Sequence, residues 1–153
     1  MIQLSQKERM LLTDQKSQEE VCVEKYRKYS EQAQNLQLKQ LFSALSTEEQ
    51  HHLDTINQLL AGQEPNMNQP QQQQQKPQPA DFNQPGTGNP ADKMLCSDLL
   101  STEKYVSGTY DTSIFEAVNP AVRQALQHIQ KDEQQHGELL FTYMQSHGMY
   151  NVQ

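Results

Sequence analysis

Two short stretches carry the chemistry open to this chain. Glu49-Gln50-His51-His52 and Glu133-Gln134-Gln135-His136 each read Glu-x-x-His. Residues three apart are neighbours on a helix, so each tetrad presents a carboxylate and an imidazole from one face. One tetrad is a common accident, but these two stand 84 residues apart, and the same offset maps residues 10–56 onto 94–140 without a gap. Twelve positions are then identical, from Met10/Met94 through Glu19/Glu103 and Tyr26/Tyr110 to His52/His136. Ordinary residue usage, about 6% per position, would give roughly three. Glu19 precedes Glu49 by the interval that separates Glu103 from Glu133. The spacing therefore predicts two helix hairpins of shared origin, related by a pseudo-twofold axis.

Four helices must position these residues. A first, from about Ser5 to Gln34, opens on a capping box of Ser5 and Glu8 and carries the stripe Leu12, Cys22, Tyr26, Tyr29 and Ala33. A second, Leu36 to Leu60, has the clearest stripe: Leu38, Leu41, Phe42, Leu45, Leu53, Ile56, Leu59 and Leu60. Between Leu45 and Leu53 the three-four spacing calls for apolar residues, and Glu49 and His52 stand there instead. A third helix runs from about Pro90 to Val118, with Glu103 between Leu99 and Val106. The fourth, Pro120 to Ser146, carries Val122, Leu126, Ile129, Leu140 and Tyr143 or Met144, interrupted by Glu133 and His136. The chain reads as a single all-α four-helix domain, with hairpins at 5–60 and 92–147 joined by residues 61–91. That joining stretch is rich in Gln, Asn, Pro and Gly, includes five consecutive Gln at 71–75, and has no apolar stripe. It is expected to be disordered or loosely laid on the surface. If helices 2 and 3 run parallel, their connection must travel about 35–40 Å, which some 30 residues do easily.

Six polar residues on core stripes need a reason. Four buried carboxylates repel one another, and without compensation their burial costs many kcal/mol. Divalent cations remove the problem. One Glu from each of two helices plus Glu-x-x-His from each of the other two resembles the ferritin-like di-iron and di-manganese carboxylate site. On that likeness two metal ions, iron or manganese, share Glu49 and Glu133; Glu19 and His52 complete one, Glu103 and His136 the other. The same likeness makes Asp132 the hydrogen-bond partner of His52, and Glu48 that of His136. The alternative is a metal-free polar layer of Glu–His hydrogen bonds and water. Tyr26 and Tyr110 read as core aromatics or as partners of the ligand carboxylates; His128 and His147 read as surface residues.

Composition narrows the field. A net charge of −7 argues against nucleic acid or an anionic membrane as partner. The first residues, Met1-Ile2-Gln3-Leu4-Ser5-Gln6-Lys7, hold no apolar run of the signal-peptide kind, and no stretch reaches the length of a membrane span. A soluble product made without a standard export signal is expected. Cys22 and Cys96 are not repeat equivalents and read as small core residues.

The stretches Asp98-Leu99-Leu100-Ser101-Thr102-Glu103-Lys104, Arg123-Gln124-Ala125-Leu126 and the closing Gly148-Met149-Tyr150 resemble the spore coat protein F family of endospore-forming bacteria. The resemblance is close over about 60 residues of the second half and looser over the first. It implies a ferritin-like bundle, location in the spore coat, and assembly with other coat proteins, a homodimer being one allowed form. The leading expectation is a coat protein with a di-metal site capable of peroxide or Fe/Mn redox chemistry. The alternatives are a purely structural coat protein, or a di-metal oxidoreductase like rubrerythrin or manganese catalase, though no Cys-x-x-Cys pair supports a rubredoxin-type centre. Whether the protein is an enzyme stays open at this stage.

Overall fold

Each helix starts where the sequence supplies a cap. In the computed structural model, which describes residues 1–67 and 76–153, α1 spans Gln6–Gln32 behind the Ser5/Glu8 capping box. Asn35 caps α2, Leu36–Leu60, by accepting from the amides of Gln37 and Leu38. Its repeat equivalent Asn119 does the same for α4, Pro120–Ser146, through Ala121 and Val122. Asn89 caps α3, Pro90–Glu116. Such caps satisfy amides that the first helical turn leaves without partners. α1 and α3 each end a residue or two before the sequence pattern suggests.

The result is an all-α four-helix bundle, as expected. The turn between α1 and α2 and the turn between α3 and α4 are short, so each pair is antiparallel. Contacts across the bundle fix the rest. Tyr29 meets Asp98, Lys25 meets Thr102 and Gln15 meets Ser113, so α1 and α3 run in opposite directions. α2 and α3 are therefore parallel, and their connection does cross the length of the bundle.

Two apolar clusters fill the ends. One gathers Leu38, Leu41, Phe42, Leu45, Cys96, Leu99, Leu140 and Tyr143. The other gathers Leu12, Cys22, Ile56, Leu59, Val106, Leu126 and Ile129. Each fully buried leucine or isoleucine contributes roughly 1.5–3 kcal/mol to holding the helices together. The two cysteines are free and buried, one in each cluster.

Two repeat-equivalent acids clasp the hairpins. The Glu8 carboxylate accepts from the backbone amides of Val118 and Asn119, at the turn of the opposite hairpin. Asp92 accepts from Gln34 and Asn35 at the other turn. The sequence reading credited Glu8 only with its own cap and passed over Asp92.

The connection corrects another expectation. The run Gln71 to Gln75 lies outside the described residues, but the stretch after it is not loosely laid. Pro79–Phe82 form a 3-10 turn, here called η1, and Phe82 is buried in the first cluster. Gln37 donates to the Asp81 carbonyl, Ser146 to that of Phe82, and the Gly86 and Gly88 amides to the backbone of Ser146 and His147. His147 is buried against Tyr143, not on the surface, because this strap covers it. Among the described residues no helix is long and apolar enough to cross a membrane.

Candidate metal centre

The layer between the two apolar clusters is where the stripes were interrupted. Glu19, Glu49, His52, Glu103, Glu133 and His136 all point into it, and none is more than 3% exposed. α2 and α4 are antiparallel here, so each tetrad faces the other. His52 Nδ1 lies 3.1 Å from Glu49 and 3.1 Å from Glu133. His136 Nδ1 lies 3.0 Å from Glu49 and 3.4 Å from Glu103. The imidazoles stack with centroids 5.5 Å apart.

α1 and α3 bring the remaining carboxylates, each fixed by a tyrosine of the other helix. Tyr110 donates to Glu19 and Tyr26 donates to Glu103, both at 2.5 Å. These bonds are images of one another under the 84-residue repeat. Of the two roles weighed for the tyrosines, the structure shows both at once: fully buried rings whose hydroxyls hold cluster carboxylates.

Behind His52, Asp132 accepts at 3.0 Å from Nε2, as the likeness implied. The counterpart fails. Glu48 forms no such bond to His136; it pairs with Lys76 of the connection at 3.4 Å, while the same ammonium reaches Asp132 at 3.5 Å. Glu48 and Asp132 are repeat equivalents, so Lys76 sits near the pseudo-twofold axis. His128 stays half-exposed, 3.6 Å from Asp132.

The electrostatics are those of a crowded acid cluster. Burial, then repulsion from Glu49, raises Glu19, Glu103 and Glu133 above the usual carboxylate range. Burial acts on Glu49 in the same sense, but its bonds to His136 and His52 outweigh it and hold that carboxyl well below the range. Burial alone would lower both histidines; their carboxylate partners reverse this and raise them well above 6.5. Burial pushes Asp132 up, yet the bond to His52 and the charge on Lys76 bring it down to about 2.

The donors divide into two overlapping groups. Glu19, Glu49, His52 and Glu133 each offer an atom within 4.8 Å of the others, and so do Glu49, Glu103, Glu133 and His136. Glu49 and Glu133 belong to both. Three buried oxygens, one on each of Glu19, Glu103 and Glu133, have no hydrogen-bond partner. Buried polar atoms are normally satisfied, so three orphans in one layer fit a cation as the missing partner. Carboxylate and imidazole donors also suit iron or manganese.

The fold and the layer together define a four-helix bundle with a buried carboxylate–imidazole centre. The Coat F domain family matches residues 91–153, which span α3 from Ala91, α4 and the tail, so the second hairpin of this chain is similar to a Coat F domain. No curated protein and no solved structure matches the chain.

Proposed function

We propose that this chain is a ferritin-like protein of the spore coat, one domain from end to end, that holds two divalent metal ions, iron or manganese. Glu49 and Glu133 would be shared; Glu19 and His52 would hold one ion, Glu103 and His136 the other. The observation that carries this reading is the pair of four-donor groups overlapping at Glu49 and Glu133. The three orphaned oxygens support it.

Such ions supply redox chemistry toward peroxide or oxygen, and open positions for an oxidant. The protein's own residues do the rest. Asp132 fixes the ring orientation of His52 so that Nδ1 faces the carboxylates. Tyr26 and Tyr110 each hold one oxygen of a cluster carboxylate and leave the other free. The apolar clusters above and below keep bulk water out, which strengthens every charge interaction in the layer.

The test is elemental analysis of protein expressed with iron and manganese, beside the double variant Glu49→Ala, Glu133→Ala. The expected result is about two ions per chain, lost in the variant. A second reading rests on the hydrogen bonds that His52 and His136 already make to the carboxylates: a metal-free polar layer in a purely structural coat protein. No metal in either sample would establish that reading and remove the redox one.

A further inference from the structure

The geometry points to the groove between α3 and α4 as the route by which a divalent cation enters the cluster. This inference rests on the two-ion reading above, and concerns one asymmetry the repeat makes visible. The bundle has two equivalent hairpin seams, and among the described residues the α3–α4 seam carries a groove that reaches cluster carboxylates. In the α1–α2 seam, Ser46 Oγ donates to the Val23 carbonyl at 3.1 Å, and Leu53 follows one helical turn after Glu49. In the α3–α4 seam the equivalent bond runs from Gln130 Nε2 to the Ser107 carbonyl at 3.0 Å. The same bond is made there by a longer side chain. Leu53 is replaced by Gly137, and Val23 by Ser107.

The space left is a groove of roughly 810 Å³ whose floor is Glu103 and Glu133. These are two of the three carboxylates that carry a buried, unpartnered oxygen. They are 3% and 1% exposed, so they close the bottom of the groove and must swing for an ion to pass. Tyr26 holds Glu103, and His52 holds Glu133, by the oxygen other than the unpartnered one. Asp111 and Glu138 on the groove wall outnumber Lys104, and a cleft of net negative charge concentrates cations.

The other faces are poorer routes. On the α1–α3 face a groove of roughly 470 Å³ reaches Cys22 and Val106 but no cluster carboxylate, and side-chain bonds lace the helices at Gln15–Ser113, Gln18–Thr109 and Lys25–Thr102. On the α2–α4 face the pockets that reach His136 and His52 also carry acids, but Lys76 spans both, paired to Glu48 and Asp132, and neither pocket is lined by a cluster glutamate.

The groove has room for a side chain to start from either of its glycines. A Cβ at Gly137 would meet only Leu100 Cδ1, at 3.9 Å, and one at Gly108 would meet nothing within 4 Å. The experiment follows cobalt(II) uptake by the metal-free full-length chain in stopped flow, reading the visible bands of the bound ion. Gly137→Leu, which restores the residue of the α1–α2 seam, is expected to slow uptake at least tenfold while the final amount bound stays that of the wild type. Asp111→Asn with Glu138→Gln is expected to slow it a few-fold and to flatten its dependence on salt. Leu53→Gly, on the opposite seam, is expected not to slow it. Uptake by Gly137→Leu at the wild-type rate overturns the route and leaves the metal centre standing. Should that variant lose its helical circular dichroism, the charge variant decides: an unchanged rate and salt dependence overturns the route. A wild-type chain that takes up no cobalt overturns the metal centre, and the route with it.

Discussion

Glu49 and Glu133 belong to both four-donor groups, yet the bonds that hold the outer carboxylates show how the layer is built. Tyr110 donates to Glu19 and Tyr26 to Glu103, each across the α1–α3 contact. Removing the Tyr110 hydroxyl leaves Glu19 buried with neither oxygen hydrogen-bonded, since its second oxygen already lacks a partner. Tyr110→Phe should therefore destabilise the metal-free protein by about 1–3 kcal/mol, measured by urea unfolding in chelator. The loss should shrink once metal is loaded, because an ion satisfies the same carboxylate. An equal loss in both states would show that the tyrosine acts only through packing. The pairing of these residues was legible only in part. The 84-residue repeat aligned Tyr26 with Tyr110 and Glu19 with Glu103. It could not say that each tyrosine serves the other hairpin's glutamate, because that depends on α1 and α3 running antiparallel.

At the scale of the elements, the helices and their stripes could be read almost to the residue, since periodic burial and caps are local signals. The elements' attachments to one another could not. Asp92 sits at the start of α3 and would pass for a first-turn acid, but it accepts from the backbone amides of Gln34 and Asn35 at the turn that leads into α2. Asp92→Ala should cost about 2–3 kcal/mol, since hydrogen bonds to a buried charged acceptor are lost and two amides are left bare. Hydrogen exchange would localise the effect: the Gln34 and Asn35 amides should lose protection first. The connection escaped for a related reason. A Gln/Pro-rich composition argues against a core of its own, but a single aromatic can dock on someone else's. Phe82 does so, and Phe82→Ala should lower stability by about 3 kcal/mol. A disordered strap would instead give a shift near zero in the same urea titration.

At the scale of the whole molecule, the proposed metal ions would compete with protons for one layer. Glu19, Glu103, Glu133, His52 and His136 all have folded-state pKa values raised above their ordinary ones. Stability from groups so raised is fully present below their unfolded values, near 4.5 for the carboxyls and 6.5 for the imidazoles, and is lost as pH rises through the folded values. Glu49 and Asp132 are lowered, and act in the opposite sense, losing their contribution only as pH falls through the acid range. Five raised groups against two lowered ones make the metal-free bundle less stable as pH climbs from 5 to 8. A divalent ion needs deprotonated ligands, so its affinity rises over the same window and its binding releases protons. The melting temperature of the chelated protein should thus fall between pH 5 and pH 8 while that of the loaded protein holds or rises, and the gap between them should widen steadily. Thermal melts at pH 5, 6, 7 and 8, with and without chelator, read both curves at once. Parallel curves would mean that no ion replaces the protons, and the layer would then be a proton-bridged structural element of the coat.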